Sequence, residues 1–203
     1  YAESFGVYEN MPEHLSYALG AGETTLYQMV AAYGMFANGG KRVQPTLIDR
    51  IQNRHGETLF RHDPRYCQGC DSARFGEDRV PILFDQRSQI MDPATAYLLV
   101  DMMQGVVSRG TASKTVGGLG FPVAGKTGTT NDSKDAWFVG FTKNLVAGCF
   151  IGYDTPTPMG RGAFGGTLCG PVFREFMRDA MKIYNPGRFR QPKSGGLITI
   201  KIH

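Results

Sequence analysis

No uninterrupted apolar stretch among the 203 residues is long enough for a membrane-spanning helix. The longest lies around Leu145 to Tyr153, well short of the ~20 residues that a bilayer crossing needs. Blocks of like charge are also missing. The 22 basic and 18 acidic residues are scattered and leave a net charge of +4. So mild and diffuse a bias reads as a solvated surface and gives no footprint for a nucleic-acid partner. Internal repeats are absent, and the 27 glycines follow no collagen period. Histidine is scarce, occurring only as His14, His55, His62 and His203. All four fall outside the segments that read as core strands, which leaves a Ser-His-Asp arrangement little support. The first residue is Tyr1, with neither an initiator Met nor a signal peptide. Further chain is therefore expected upstream.

The remaining composition is that of a globular domain, with 41% hydrophobic, 20% charged and 11% aromatic residues. Four cysteines are present, and Cys67-Gln-Gly-Cys70 is the single CxxC. Its flanks, Asp63-Pro64 and Asp71-Ser72, read as loop rather than as the strand and helix of a redox motif. A local disulfide is expected in an oxidising compartment. A zinc knuckle completed by His55 or His62 is the alternative, although the spacing matches no established finger. Cys149 lies in an alternating apolar run and reads as a small buried hydrophobe.

Periodicity and caps predict three helices and a run of three strands. Thr25 with Gln28 forms a capping box, and Leu26, Met29, Val30, Tyr33, Phe36 and Ala37 follow at helical spacing. Asn38-Gly39-Gly40 ends that helix. Short strands are expected at 45–51 and 57–61, then a long irregular insertion at 62–88. Asp92-Pro93 opens a second helix that runs to about 107. Strands are expected at 122–130, 135–142 and 145–153, with Lys143-Asn144 as a tight turn. A last helix at 170–184 carries the stripe Phe173, Phe176, Met177, Ala180, Met181 and Tyr184, which reads as core packing. Residues 186–203 form a Pro-, Gly- and base-rich tail, with Leu197-Ile198-Thr199-Ile200 as a further strand candidate. The order of elements predicts an α+β fold, an antiparallel sheet with helices packed on it.

One segment has the composition of a binding edge: Gly125-Lys126-Thr127-Gly128-Thr129-Thr130. Glycines bracket Lys126 and Thr127, so a ligand backbone can lie close to the strand. Thr127 and Thr129 share a face by the two-residue period. A lysine cation, two hydroxyls and an exposed row of N–H groups suit a carboxylate and a developing oxyanion. Asp132 and Asp135 flank the following turn and read as turn-forming residues rather than as an acid–base pair. Trp137 reads as a packing residue.

The string Gly125-Lys-Thr-Gly-Thr-Thr-Asn-Asp-Ser-Lys-Asp-Ala-Trp-Phe-Val-Gly140 resembles the third motif of penicillin-binding proteins and serine β-lactamases, in its peptidoglycan transpeptidase form. It is most similar to the bifunctional, class A penicillin-binding proteins. Thr24-Thr25-Leu26 through Ala37-Asn38-Gly39-Gly40 with Pro45, and Ser108-Arg109-Gly110-Thr111-Ala112, resemble flanking segments of the same family. Residues 1–185 accordingly look like the C-terminal portion of the transpeptidase domain, and 186–203 like the start of an extension beyond it. The cysteine insertion is the least covered.

That resemblance implies a serine acyl-enzyme that cross-links D-Ala-D-Ala stem peptides or trims them as a carboxypeptidase, with β-lactams as donor mimics. It implies no cofactor and no metal. It places the protein at the periplasmic face of the bacterial inner membrane, with a membrane anchor upstream and a glycosyltransferase partner domain in the bifunctional members. Lys126 would orient the donor carboxylate and serve the proton relay. Thr127 and Thr129 would hydrogen-bond that carboxylate, the Thr129 N–H would form half of the oxyanion hole, and Gly128 would let substrate lie along the strand.

The chain also departs from the family pattern. No serine, from Ser4 to Ser194, has Lys three positions later or Asn two positions later. The nucleophile motif Ser-x-x-Lys and the motif Ser-x-Asn are thus missing. An N-terminal half of the domain is expected to supply them, with two more strands and the nucleophile helix, and the fragment is expected to be inactive alone. A β-lactam-hydrolysing or β-lactam-sensing relative and a non-catalytic cell-wall-binding module are the rival readings.

Overall fold

The computed structural model describes residues 1–63, 65–70, 80–192, 197, 198 and 200. Helices α1 (Leu26–Ala37), α2 (Pro93–Ser108) and α3 (Gly165–Ala180) surround a three-stranded antiparallel sheet of β5 (Ala124–Thr129), β6 (Asp135–Phe141) and β7 (Val146–Gly152). The strands lie in chain order, β5-β6-β7. Two small antiparallel pairs precede them in the segment between α1 and α2. They are β1 (Arg50–Gln52) with β2 (Thr58–Arg61), and β3 (Tyr66–Gln68) with β4 (Ile82–Phe84). The α+β architecture matches the expectation from sequence. No helix among the described residues is long and apolar enough to cross a membrane.

Local chemistry explains the helix starts. Thr25 accepts the Gln28 N–H at its side chain, while the Gln28 side chain reaches back to the Thr25 N–H. Asp92 accepts the Thr95 N–H at 2.9 Å, with Pro93 at the first helical position. The end of α1 requires Gly40, whose N–H closes on the Met35 carbonyl at φ 85°. A Cβ at that position would lie 2.3 Å from the Met91 carbonyl oxygen. The β6–β7 turn is held by buried Thr142. Its N–H donates to the Leu145 carbonyl, and its hydroxyl oxygen accepts the N–H groups of Asn144 and Leu145.

Helices cover both sheet faces. On one face Ala124 and Phe141 pack with Val100, Tyr33, Phe36 and Met103 of α1 and α2. Burial there pushes the Tyr33 hydroxyl up to about 12. On the other face Phe138 packs with Cys169, Phe173 and Met177 of α3, and the Phe138 and Phe173 rings meet edge to face at 4.7 Å. A third cluster joins α1 and α2 through Ala32, Met35, Met91 and Ala96. The middle of α1 is therefore buried against two neighbours, and its most buried residues are Ala31, Ala32 and Met35 rather than the stripe read from sequence.

Several expectations change. Helix α3 begins at Gly165, five residues before the expected 170, and contains Pro171. Its buried line is Gly165, Cys169, Phe173 and Met177, whereas Phe176 and Tyr184 of the expected stripe are half exposed. Residues 62–88 are not wholly irregular, because they hold β3 and β4. Cys67 and Cys70 are joined as a disulfide. With their sulfurs bonded to each other they are no longer thiolate ligands, which removes both sulfur donors of the zinc alternative. His62 is engaged with the Gln44 carbonyl at 2.7 Å. Cys149 is half buried beside the α3 cluster. The turn before β6 is closed by Thr130, not by an aspartate. Its hydroxyl accepts the Asp135 N–H at 2.8 Å, and its N–H donates to the Asp135 carbonyl at 3.2 Å. Residues 197, 198 and 200 form no strand, and Thr199 lies outside the described residues. Earlier in the tail, Phe189 meets Phe141 edge-on at 5.7 Å.

Candidate functional site

Strand β5 has β6 on one side and no further strand on the other among the described residues. Antiparallel pairing aims alternate residues at the partner. Thr130 donates to the carbonyl of Asp135, so the N–H groups of Gly128 and Lys126 also face β6, with Gly128 opposite Trp137 and Lys126 opposite Val139. The N–H and C=O groups of Thr127 and Thr129 therefore point to the free edge.

The side chains divide by the same period. Lys126 shares the α1/α2 face with Ala124. Its ammonium donates to the outward carbonyl of Thr127 at 2.9 Å, which holds the cation at the strand edge. Thr127 and Thr129 share the α3 face with Phe138, the cross-strand partner of Thr127. The cation reaches the edge from one face and the hydroxyls from the other, with the outward backbone groups between them.

Both hydroxyls already have protein partners. The Thr127 hydroxyl pairs with that of Thr111 at 2.7 Å. The Thr129 hydroxyl oxygen accepts the Gly165 N–H at 3.0 Å, at the start of α3. A hydroxyl carries one proton and accepts through two lone pairs. Thr129, as an acceptor here, keeps its proton for a ligand. The Thr111–Thr127 pair spends one proton between its members and keeps the other. This edge therefore offers two hydroxyl protons, two N–H groups and an ammonium, a donor set matched to a carboxylate and a second oxyanion.

Gly165 makes this arrangement possible, and sequence reasoning passed over it. A Cβ there would lie 2.1 Å from the Trp137 carbonyl oxygen and 2.4 Å from that of Gly128. Only glycine lets the helix start settle against β5. The signal was the pair Gly165-Gly166, which reads as a helix breaker. Trp137 stacks obliquely on Phe150 at 4.7 Å, consistent with a packing role. Gly128 faces the Trp137 Cβ, which would lie 3.1 Å from a side chain placed there.

Comparison with known proteins decides the family. Residues 8–178 match the penicillin binding protein transpeptidase domain. The chain belongs to the penicillin-binding protein transpeptidase family. A penicillin-binding protein 1A of Rickettsia bellii is 41% identical over 198 residues, which is 97% of this chain and 25% of that protein. One from Neisseria gonorrhoeae is 42% identical over 173 residues, covering 85% of this chain and 20% of that protein. The crystal structure of penicillin-binding protein 1A from Haemophilus influenzae superposes with a TM-score of 0.77 at 27% identity, over 95% of this chain and 32% of that one. PonA1 of Mycobacterium tuberculosis shares the fold, with a TM-score of 0.72 at 20% identity over 100% of this chain and 56% of that one. The chain thus spans about a quarter of the length of the curated relatives it matches. Its three-helix, antiparallel-sheet architecture is part of the penicillin-binding protein transpeptidase fold.

Proposed function

We propose that this chain is the substrate-holding half of a peptidoglycan D,D-transpeptidase site, with the nucleophile supplied by residues outside it. The observation that carries the reading is the free edge of β5, where a cation, two outward N–H groups and two spare hydroxyl protons meet. Such an edge fits a peptide that ends in a carboxylate and has its scissile carbonyl one residue away. The donor D-Ala-D-Ala peptide has that form.

In this reading Lys126, Thr127 and Thr129 hold the terminal carboxylate. The Thr129 N–H donates to the carbonyl oxygen as it becomes an oxyanion. A serine from a Ser-x-x-Lys segment adds to that carbonyl carbon, and its proton passes through the lysine relay to the departing amine of the terminal D-Ala. The C–N bond breaks and an ester to serine remains. An amine of a neighbouring stem peptide then attacks the ester, forms the cross-link and returns a proton to the serine. Water in place of that amine gives carboxypeptidase activity. β-Lactams enter as donor mimics and stay as slow esters. Gly128 keeps the strand bare of side chain where the peptide lies. The residues that supply the nucleophile, the membrane anchor and any glycosyltransferase domain belong to chain outside the 203 residues, on the periplasmic face of the inner membrane.

Intact mass after incubation with a penicillin tests this. The 203-residue chain alone is expected to show no adduct, and a polypeptide extended upstream through a Ser-x-x-Lys segment is expected to gain one penicillin mass. An adduct on the short chain overturns the split-site reading. Rapid release from the longer polypeptide identifies a β-lactam hydrolase. Muropeptide binding without acylation identifies a wall-binding module.

A further inference from the structure

We propose that Thr111 is a positioning residue for the donor carboxylate, acting through the Thr127 hydroxyl. The inference rests on the transpeptidase reading and adds to it a residue outside the Lys126–Thr129 motif. Thr111 follows the exit of α2 and is fixed by its neighbour Ala112, which is fully buried and donates its N–H to the Val106 carbonyl. Its hydroxyl lies 2.7 Å from that of Thr127.

Threonine hydroxyls rotate, and an unpartnered one spreads its proton over several directions. A Thr111 hydroxyl that donates to Thr127 occupies one of its lone pairs and leaves the Thr127 proton for the carboxylate. The start of α3 closes the arrangement from above. A Cβ on Gly166 would lie 2.8 Å from the Thr111 carbonyl oxygen and 3.6 Å from the Thr127 methyl, so glycine lets the helix pack on both threonines. The positive end of α3 then faces the same edge, with its Gly165 N–H already fixed on Thr129. Thr111 is exposed and Thr127 half buried. A hydrogen bond this open to water adds little to folding stability. Its effect falls on the direction of the remaining hydroxyl proton, which the carboxylate accepts.

The test uses the full-length protein that carries this chain. Thr111→Val keeps the shape and removes the hydroxyl, and Thr111→Ser keeps the hydroxyl. The second-order acylation rate is measured with a penicillin bearing its free carboxylate and with the neutral methyl ester of the same penicillin. Thr111→Val is expected to slow the acid about tenfold while the ester stays within about twofold, so that the acid-over-ester preference collapses. Thr111→Ser is expected to stay within about threefold of wild type on both. Equal slowing of acid and ester by Thr111→Val, or no slowing of either, overturns the positioning role and leaves the transpeptidase reading intact. A wild-type protein that neither penicillin acylates overturns that reading, and this inference with it.

Discussion

The sheet with its flanking helices and the segment between α1 and α2 are built on opposite principles. In β6 five of seven residues are buried, and its Phe138 forms a continuous apolar layer with Cys169, Phe173 and Met177 of α3. In β1, β2 and β4 every residue is exposed, including Leu59, Phe60, Ile82 and Leu83. That segment is fastened by other means: the Cys67–Cys70 disulfide, the Tyr66–Phe84 stack at 6.2 Å, and an ionic group in which Asp85 meets Arg87 at 2.8 Å and Lys41 at 2.9 Å. Burial in a shared core couples residues over long distances, whereas partly solvated ion pairs and a short-loop disulfide hold only the groups they join. The candidate site sits on the first region. Its geometry therefore depends on the sheet and α3, and only weakly on the hairpins.

The largest effect that sharpens this contrast is expected from Phe138→Ala. Removing a fully buried ring that touches Phe173 should cost about 3–5 kcal/mol, read as a lower urea midpoint at Trp137. A cost below about 1 kcal/mol would show that this layer is not the anchor of the fold. Gly165→Ala comes next. The added methyl meets two carbonyl oxygens, so the start of α3 must lift from β5, at about 1–3 kcal/mol and with loss of penicillin acylation beyond what stability explains. Wild-type acylation by Gly165→Ala would separate the helix start from the site.

The smallest effect belongs to the hairpins. Hydrogen bonds from Arg87, then Lys41, hold the Asp85 carboxyl below the usual carboxylate range, and Arg65 holds that of Asp63 at about 2. A depressed carboxylate contributes stability that is present above the unfolded-state value and is lost as pH falls through the folded-state one. Between about pH 4 and pH 2 the amides of β4 should therefore exchange faster while those of β6 stay protected. Asp85→Asn should remove most of that acid dependence at a cost of about 1 kcal/mol or less, since these side chains are partly solvated. Simultaneous loss of protection in β6 would contradict the separation of the two regions.

Much of the sheet region was legible in the sequence because its signals are local. The Thr25–Gln28 box, the Asp92-Pro93 start and the alternation through 135–153 each declare an element without help from distant residues. The lysine–threonine strand was legible as a motif. What escaped depends on contacts between segments far apart in the chain. Gly165-Gly166 and Pro171 look like breakers until β5 and Thr111 are seen against the helix start. The buried line of α3 is set by Cys169, whose thiol donates to the Ala136 carbonyl and which burial pushes far above the usual thiol range. Strands β3 and β4 are three residues each, too short for a period to register. The segment of Thr111 was legible as a family-like stretch, but its pairing with Thr127 was not, because the partner lies sixteen residues away on another element.

The central claim is that these residues hold the substrate while another segment attacks it. The most direct test is peptide mapping of the penicillin adduct on the full-length protein. The account predicts an ester on a serine of an upstream Ser-x-x-Lys and no modified peptide from this chain. An adduct on any serine of this chain would contradict it.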